Sequence, residues 1–267
     1  MKKGLLLLIS ILVVGMLAAC GTGTGSEGEG TSGEGESEEK KVLKMATSAD
    51  YPPFEYKDTT KGDEIIGFDI DLVNALAEKL GYEIEVQDLD FNSLVPALQS
   101  KQVDLVLAGM TPTEERKESV DFTDVYYTAK HMIVSLKDNK ITTVEDLEGK
   151  TLGVQLGSIQ EGKAEEIAEE VNISIEDRNR IPDLLQELKA GRIDAAIIED
   201  TVAKGYFEKD KELEGFTLSE EEADEAGSAI AFPKDSEYTD EFNKALNEMI
   251  ENGELEELIV KWFGGKE

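Results

Sequence analysis

The chain has 267 residues, of which 59 are acidic and 27 basic, and its formal net charge is −32 at pH 7. This charge argues against nucleic acid as a partner, because phosphate groups would be repelled, and against electrostatic docking on anionic lipid. The chain contains one cysteine, Cys20. It therefore cannot form an internal disulfide, and we expect its folded part to depend on a packed hydrophobic core.

The N-terminal segment predicts export. Residues 1–19 contain Lys2 and Lys3, an apolar stretch and small residues directly before Cys20, which is typical of a secretory signal peptide. The apolar stretch is shorter than the roughly 20 residues that span a bilayer. The position of Cys20 resembles the lipobox of bacterial lipoproteins, which implies cleavage before Cys20 and acylation of its thiol as an anchor to the cell membrane. An ordinary signal peptide with an incidental cysteine is the alternative.

Residues 20–41 predict a flexible tether. Apart from Cys20, the segment consists mostly of Gly, Ser, Thr and Glu. So few apolar side chains cannot bury enough surface to offset the entropy of ordering. We interpret the segment as an acidic linker between the acylated cysteine and the folded part.

From residue 42 the hydrophobic pattern alternates between strand and helix. The first series predicts strand, helix, strand, helix and strand at 42–46, 72–80, 83–86, 94–98 and 103–108. A second series predicts strands at 132–135, 151–154 and 193–198, and helices at 160–170 and 184–188; two helices near 242–250 and 255–262 close the chain. Such alternation predicts two α/β units, each a mostly parallel sheet flanked by helices.

The sequence carries no recognisable catalytic or metal-binding pattern. Its one histidine, His131, has no local signature of Ser-His or Cys-His catalysis. No group of side chains has zinc-ligand spacing. We therefore expect no catalytic residue, no cofactor and no metal, and a structural role for His131.

One turn after a predicted buried strand has the composition of an anion-binding site. Gly109 ends the strand, Thr111 is a suitable N-cap, Pro112 fits the first helical position, and Glu114 would complete a capping box. A helix N-terminus attracts an anion, and Arg116 could hold a carboxylate through two parallel bonds. An ordinary capped helix with a surface arginine is the alternative.

A second turn and two acids complete a candidate site for a small zwitterion. Gly157 and Ser158 repeat the strand-to-helix arrangement in the second unit. Glu199 and Asp200 end the strand 193–198, at the sheet edge where open α/β sheets bind ligands. An acid there could pair with an ammonium group, although helix capping explains at least one of the two.

Aromatic residues follow strands at the same predicted edge. Tyr51, Phe54 and Phe91 could enclose an aliphatic or cationic side chain. Packing in the hydrophobic core is the alternative for each of them.

Several short segments, in order along nearly all of 42–265, resemble the polar amino acid binding proteins of ABC importers. They are SADYPPFE at 48–55, GFDIDL at 67–72, AGMTPTEER at 108–116, VDFT at 120–123 and KWFG at 261–264. The resemblance implies a two-lobed, type II periplasmic-binding-protein-like fold that closes on its ligand. The first lobe would take 42–128 and 226–267, and the second 129–225.

The resemblance also implies roles for individual residues. The ligand carboxylate would be bound by Arg116, Thr111, Gly109, Ser158 and Ile159. The ligand ammonium would be bound by Glu199 or Asp200, depending on how one additional residue is aligned. The ligand side chain would be surrounded by Ser48, Asp50, Tyr51, Phe91 and Ala108. Ser48 stands where many relatives carry an acid, and Ile159 where they often carry a hydroxyl.

The expected function is that of an extracytoplasmic, lipid-anchored, monomeric receptor that delivers a polar L-amino acid to an ABC permease and its ATPase. Arginine or another basic amino acid is preferred, because the sequence resembles arginine-type binders and because nearby acids and aromatic walls suit a cation; glutamine and cystine are alternatives. A same-fold enzyme, such as a cyclohexadienyl-type dehydratase with Glu199 or Glu55 as acid or base, is a further alternative, as is a surface sensor or adhesin.

Overall fold

The computed structural model describes residues 40–218 and 226–264. The predicted signal peptide, Cys20 and nearly all of the predicted linker 20–41 lie outside the described residues. Among the helices that the structure describes, none is both long enough and apolar enough to cross a membrane.

The described chain forms strands and α-helices in alternation. In chain order they are β1 (Lys41–Thr47), β2 (Asp50–Tyr51), β3 (Glu55–Asp58), β4 (Glu64–Ile66), α1 (Phe68–Leu80), β5 (Tyr82–Asp88), α2 (Leu94–Gln99), β6 (Leu105–Val106), α3 (Glu114–Ser119), β7 (Val120–Phe122), β8 (Tyr127–Ala129), β9 (His131–Leu136), β10 (Thr151–Gln155), α4 (Ile159–Glu170), β11 (Ser174–Arg178), α5 (Ile181–Lys189), β12 (Ala195–Glu199), α6 (Asp200–Lys209), β13 (Leu213–Thr217), β14 (Ala226–Ser228), β15 (Ala231–Pro233), α7 (Tyr238–Asn252) and α8 (Glu254–Phe263).

The first lobe is built on a five-stranded sheet in the order β5-β1-β6-β15-β7. β1 runs parallel to β5 and β6, whereas β15 runs antiparallel to β6 and β7. Helix α2 packs against the sheet, α1 packs on β5, and α7 and α8 pack on α1. Four strands therefore point one way and one strand points the other.

The second lobe repeats this plan in the order β11-β10-β12-β9-β13. β10 runs parallel to β11 and β12, and β9 runs antiparallel to β12 and β13. Helices α4 and α5 pack on β10, β11 and β12, and α6 packs on β9, β12 and β13. The two lobes confirm the predicted α/β architecture of two mostly parallel sheets flanked by helices.

In each sheet, the antiparallel strand comes directly after the chain crosses from one lobe to the other. β8 precedes β9, β14 precedes β15, and β8 and β14 pair with each other in antiparallel orientation. After each crossing, the chain therefore enters the sheet of the other lobe at the carboxyl ends of its parallel strands. This places the carboxyl ends of the parallel strands of both sheets on the side of the paired crossings.

Local sequence signals account for several element boundaries. Helix α1 ends where the sequence predicts, because Gly81 adopts the left-handed conformation (φ 82°) that closes a helix without a steric penalty. The strand predicted at 103–108 is shorter than expected, and only Leu105 and Val106 pair in the sheet. After Val106 the backbone leaves the sheet for the turn at Gly109, which also has a positive φ of 55°.

The closing helix packs against the crossing strand β8. The ring of Phe263 stacks on Tyr127 with the ring centres 4.3 Å apart and meets the edges of Phe54 and Phe68 at 5.0 and 5.1 Å. The indole nitrogen of Trp262 donates to Asp71 of α1 at 2.6 Å. Phe54, one of the three aromatic residues predicted at the sheet edge, therefore belongs to the core.

Candidate functional site

A cavity lies at the carboxyl ends of the strands of both sheets. Space unoccupied by atoms amounts to about 240 Å³, including its opening to solvent. Its lining comes from both lobes and consists of Tyr51, Phe91, Ala108, Gly109, Thr111, Arg116, Gln155, Ser158, Ile159, Gln160 and Glu199. A wider depression between α3 and α4 shares Phe91, Thr111, Arg116, Ser158 and Ile159 with it, and so forms its approach from solvent.

Arg116 supplies the positive charge of the cavity. Its Nη1 donates to the carbonyl of Thr111 at 2.8 Å and its Nη2 to the carbonyl of Gly157, from the other lobe, at 2.9 Å. The guanidinium carbon lies 5.5 Å from the centre of the Phe91 ring. Burial lowers the pKa of Arg116 to about 10. The side chain therefore remains a cation at neutral pH, and no carboxylate of the described residues pairs with it in a salt bridge.

The N-cap predicted at Thr111 is wrong, because helix α3 begins later. Thr113 is the N-cap, and its hydroxyl oxygen accepts the backbone N–H of Arg116 at 3.2 Å. The Thr111 carbonyl instead accepts the N–H of Thr113 at 2.9 Å, and this tight turn delays the helix by two residues. As a consequence, Pro112 precedes the cap, and Thr111 lines the cavity rather than capping a helix.

The second turn, at Gly157 and Ser158, contributes backbone groups and a hydroxyl to the site. Gly157 has a positive φ of 76° and Ser158 is the N-cap residue of α4, yet its hydroxyl forms no capping bond. That hydroxyl is buried without a hydrogen-bond partner among the described residues. The backbone N–H of Gly157 donates to Glu161 at 2.8 Å. Ser158 therefore offers a free hydroxyl next to Arg116.

Glu199 supplies the acidic group on the other side of the cavity. It ends β12, is 2% exposed, and accepts a hydrogen bond from the Tyr51 hydroxyl. Burial raises the pKa of Glu199 to about 8, against the opposing effect of the Tyr51 bond. One of its carboxyl oxygens, Oε2, has no hydrogen-bond partner in the described part of the chain.

Asp200, the other predicted ammonium ligand, lies away from the cavity lining. It begins α6, where its carboxylate accepts the backbone N–H of Lys130 at 3.1 Å and the ammonium of Lys204 at 2.6 Å. An acid in the first turn of a helix also favours the helix dipole. The two neighbouring acids thus have different surroundings, and Glu199 is the one that lines the cavity together with Arg116.

Ser48 and Asp50 are buried near the cavity but do not line it. The Ser48 hydroxyl lies 3.5 Å from an Asp50 carboxyl oxygen. Burial raises the pKa of Asp50 to about 7, although Arg180, with its Nε 3.9 Å away, acts in the opposite direction. The structure thus gathers most of the predicted ligand-contacting residues and leaves Ser48, Asp50 and Asp200 outside the lining.

Three polar residues at the site were not predicted from the sequence. Gln155 and Gln160 line the cavity at the end of β10 and the start of α4. Arg180, before α5, joins the lobes through its Nη1 to Asp88 at 2.8 Å and its Nε to Asp90 at 2.7 Å. The position of Gln155 at the end of β10, on the carboxyl edge of the sheet, was the available signal for that residue.

Two lobes joined by paired crossings around a cavity with a cation on one side and a buried acid on the other define a protein that encloses a small polar ligand. The family model for bacterial extracellular solute-binding proteins, family 3, matches residues 43–265. The chain therefore belongs to this family, as the sequence resemblance predicted.

Individual relatives are consistent with that assignment. The chain is 61% identical over 266 residues to the arginine-binding extracellular protein ArtP of Bacillus subtilis (strain 168), with 100% of both chains covered. The arginine-, lysine-, histidine-binding protein ArtJ of Geobacillus stearothermophilus superposes with a TM-score of 0.78 at 31% identity, covering 85% of this chain and 97% of that chain. The ancestral amino acid-binding protein AncCDT-1, a precursor of cyclohexadienyl dehydratase, superposes with a TM-score of 0.74 at 35% identity, covering 83% and 95%.

Proposed function

We propose that this extracellular solute-binding protein binds an L-amino acid with a cationic side chain, with arginine preferred, and delivers it to an ABC permease and its ATPase. The observation that carries the proposal is a cation and a buried carboxyl group, which can ionise beside an ammonium group, in one cavity. Arg116 and Glu199 come from different lobes, and neither forms a salt bridge with the other described residues. A ligand with one carboxylate and one ammonium group would satisfy both.

The carboxylate end of the ligand would lie at the junction of the two turns. Arg116 would bind it with the guanidinium N–H groups that do not already serve the Thr111 and Gly157 carbonyls. The free hydroxyl of Ser158 would add a bond, and Gly109, Thr111 and Ile159 would complete the walls. The ammonium group would bind the carboxylate of Glu199, since Asp200 has its own partners.

The ligand side chain would extend between Tyr51 and Phe91, past Ala108. Aromatic faces favour a cation, and a preference for arginine agrees with the names of the relatives ArtP and ArtJ. Ser48 and Asp50 would act from behind this wall, where the carboxyl group of Asp50 adds negative potential.

The remaining parts of the chain have proposed roles in delivery. We assign 42–128 and 226–267 to the first lobe and 129–225 to the second, and closure of the two around the ligand would create the surface that the permease recognises. Cys20 would carry the lipid anchor, with 1–19 removed and 20–41 as the tether. The protein would work as a monomer, because one chain contributes the whole cavity.

A screen of the twenty amino acids by thermal shift tests the proposal. Arginine should raise the melting temperature of the wild type, because a ligand that binds only the folded state stabilises it. Arg116→Ala should abolish that shift, whereas Arg192→Ala should retain it, because Arg192 is an exposed arginine that pairs with Glu187. Absence of a shift with every amino acid at millimolar concentration would overturn the proposed function.

We further propose that the protein is not an enzyme. A dehydratase of cyclohexadienyl acids is the alternative that the AncCDT-1 relative raises. Glu199, with a pKa of about 8, could act as an acid there, whereas Glu55 does not line the cavity. Incubation with a cyclohexadienyl acid should leave the substrate unchanged, and an aromatic product that Glu199→Gln fails to form would establish the enzyme instead.

A further inference from the structure

Two glutamine side chains of the second lobe line the cavity, and both bond with the protein through the nitrogen end of the amide. Gln155, the last residue of β10, donates from its Nε2 to the backbone carbonyl of Asn179 at 3.1 Å. The Nε2 of Gln160, in the first turn of α4, lies 3.3 Å from Nδ1 of His131. The two glutamines are only 4% and 6% exposed. The nitrogen of each amide is therefore held by a buried part of the protein.

The contact between Gln160 and His131 has a defined direction. An amide nitrogen can only donate, so Nδ1 of His131 must accept, which requires a neutral imidazole with its proton on Nε2. A proton on Nδ1 would force the amide to turn and to offer its oxygen instead. The tautomer of His131 thus determines which end of the Gln160 amide it holds, and it leaves the carbonyl oxygen for the cavity.

The carbonyl oxygens of the two amides are the groups that remain for a ligand. No hydrogen bond among the described residues uses either oxygen, and neither oxygen is among the fully enclosed polar atoms that lack a partner. Because both side chains line the cavity, the two oxygens are accessible from its interior. A carbonyl oxygen accepts hydrogen bonds and donates none, so these groups favour a ligand with N–H donors.

The two groups that hold the amides are themselves fixed by the fold. His131 is 2% exposed and pairs directly opposite Glu199 in the antiparallel ladder of β9 and β12. Opposite residues of such a ladder project from the same face of the sheet, so the Gln160 amide is held on the face that carries Glu199. Asn179 is held through its Nδ2, which donates to Asp90 of the first lobe at 3.0 Å. Both amides are thus oriented by the protein itself.

We propose that Gln155 and Gln160 select ligands with N–H donors through their carbonyl oxygens. Asn179 and His131 fix this orientation, and His131 is a positioning residue that acts through Gln160. An ammonium group has three N–H donors and a guanidinium group five, which is more than Glu199 alone can satisfy, and the amide oxygens supply the additional acceptors. The proposal rests on the amino acid binding function proposed above and adds residues that determine its specificity.

The tautomer of His131 tests the orientation without any ligand. His131 is the one histidine of the chain, so the untagged protein gives a single set of imidazole signals. Nitrogen-15 NMR at about pH 8, where an ordinary imidazole is neutral, should show the proton on Nε2 and none on Nδ1. The Nδ1 signal should move in Gln160→Met, which removes its donor, and should stay in place in Gln186→Met, at an exposed glutamine of α5. A proton on Nδ1 of the wild type would overturn the proposal, whatever the protein binds.

Removal of each amide tests whether its oxygen binds the ligand. The probe is L-arginine, with its dissociation constant measured by titration calorimetry. Gln155→Met and Gln160→Met should each bind arginine about tenfold more weakly than the wild type, because each loses one hydrogen bond to a charged group. Gln186→Met should bind normally. A loss of less than about twofold in either cavity variant would contradict the role of the amide oxygens.

Two variants of His131 separate positioning from support of the fold. His131→Asn keeps an acceptor close to the place of Nδ1, whereas His131→Leu keeps none and frees the Gln160 amide to turn. L-Citrulline is the second probe, because it has the length of arginine but carries a urea oxygen in place of one guanidinium nitrogen. The ratio of arginine affinity to citrulline affinity should fall about fivefold or more in His131→Leu and stay within about twofold in His131→Asn.

Each outcome of these measurements decides a separate point. A residue that only supports the fold would weaken both ligands by the same factor, so an unchanged ratio in His131→Leu would overturn positioning. If His131→Leu fails to fold, the tautomer of the wild type and the arginine affinity of Gln160→Met decide. If the wild type binds no amino acid, the proposed function fails, while the tautomer of His131 still tests the orientation of the amide.

Discussion

The two sides of the cavity contribute a cation and an acidic group and place them by different means. In the first lobe, Arg116 extends from a short helix, and its turn is fixed through Gly109 to a buried acid of α1. In the second lobe, Glu199 stands at the end of the fully buried strand β12 and depends on Tyr51, from the opposite lobe, for its hydrogen bond. Both sides therefore have a bond to the opposite lobe, since Arg116 donates to the Gly157 carbonyl, but only the first side has its turn fixed by an acid of its own lobe as well. A zwitterion between Arg116 and Glu199 would bind the lobes together, so recognition and closure would be one event.

The largest expected effect comes from removing the charge on the second side. Glu199→Gln retains the size of the side chain and its bond with Tyr51 but cannot neutralise an ammonium group. Truncating one partner of a buried charge pair costs about 2–5 kcal/mol, so we expect arginine to bind roughly 100-fold more weakly by titration calorimetry. Asp200→Asn is the matched control, because Asp200 interacts with Lys130 and Lys204 instead. A larger loss for Asp200→Asn would reverse the assignment of the ammonium ligand.

A smaller effect should follow from loosening the contact between the lobes without touching the cavity. Arg180 bonds to Asp88 and Asp90 of the first lobe, and Arg180→Ala leaves these partly buried carboxylates without their cation. We expect about 2 kcal/mol of lost affinity, or roughly 30-fold. Every ligand should weaken by the same factor, because Arg180 contacts none of them. Arg178→Ala, at a neighbouring arginine that pairs with Glu176 and Glu187 within its own lobe, should bind normally; equal losses in the two variants would contradict a role in closure.

Part of this site could be predicted from the sequence. Residues next to strand ends are predictable, because the carboxyl edge of a parallel sheet collects them; Gly109, Arg116, Ser158 and Glu199 are of this kind. The contact of Arg180 with Asp88 and Asp90 was not predictable, since it joins positions about 90 residues apart in a chain with many other acids.

The sequence also could not decide which of two neighbouring residues takes a given role. Thr111 and Thr113 are both acceptable N-caps, and the hydrogen bond within the 111–113 turn decides between them. Glu199 and Asp200 differ by one position at a strand end, which determines whether a side chain faces the cavity or the start of a helix.

Proton release on ligand binding should report the protonation state of Glu199 in the free protein. Burial raises the pKa of Glu199 to about 8, so the free protein is mostly protonated there at pH 7. An ammonium group pairs only with the ionised form, so affinity should rise as pH increases from 6 towards 8, by up to about tenfold per unit. Calorimetry in two buffers of different ionisation enthalpy should detect up to one proton released at pH 7. Glu199→Gln should lose this proton, and an unchanged release would place its source elsewhere.

The smallest expected effect concerns the hydroxyl of the second turn. Ser158→Ala removes a buried group that has no hydrogen-bond partner among the described residues, so the stability of the free protein should not fall. The same hydroxyl would donate to the ligand carboxylate, and its loss should weaken arginine binding by about 1 kcal/mol, or roughly fivefold. Ser174→Ala, at an exposed position of β11, should change neither property. Because Arg116 remains, ligand selectivity should be retained. A lower melting temperature of the free Ser158→Ala protein would instead mean that the hydroxyl supports the turn itself, and the second side would then be as internally organised as the first.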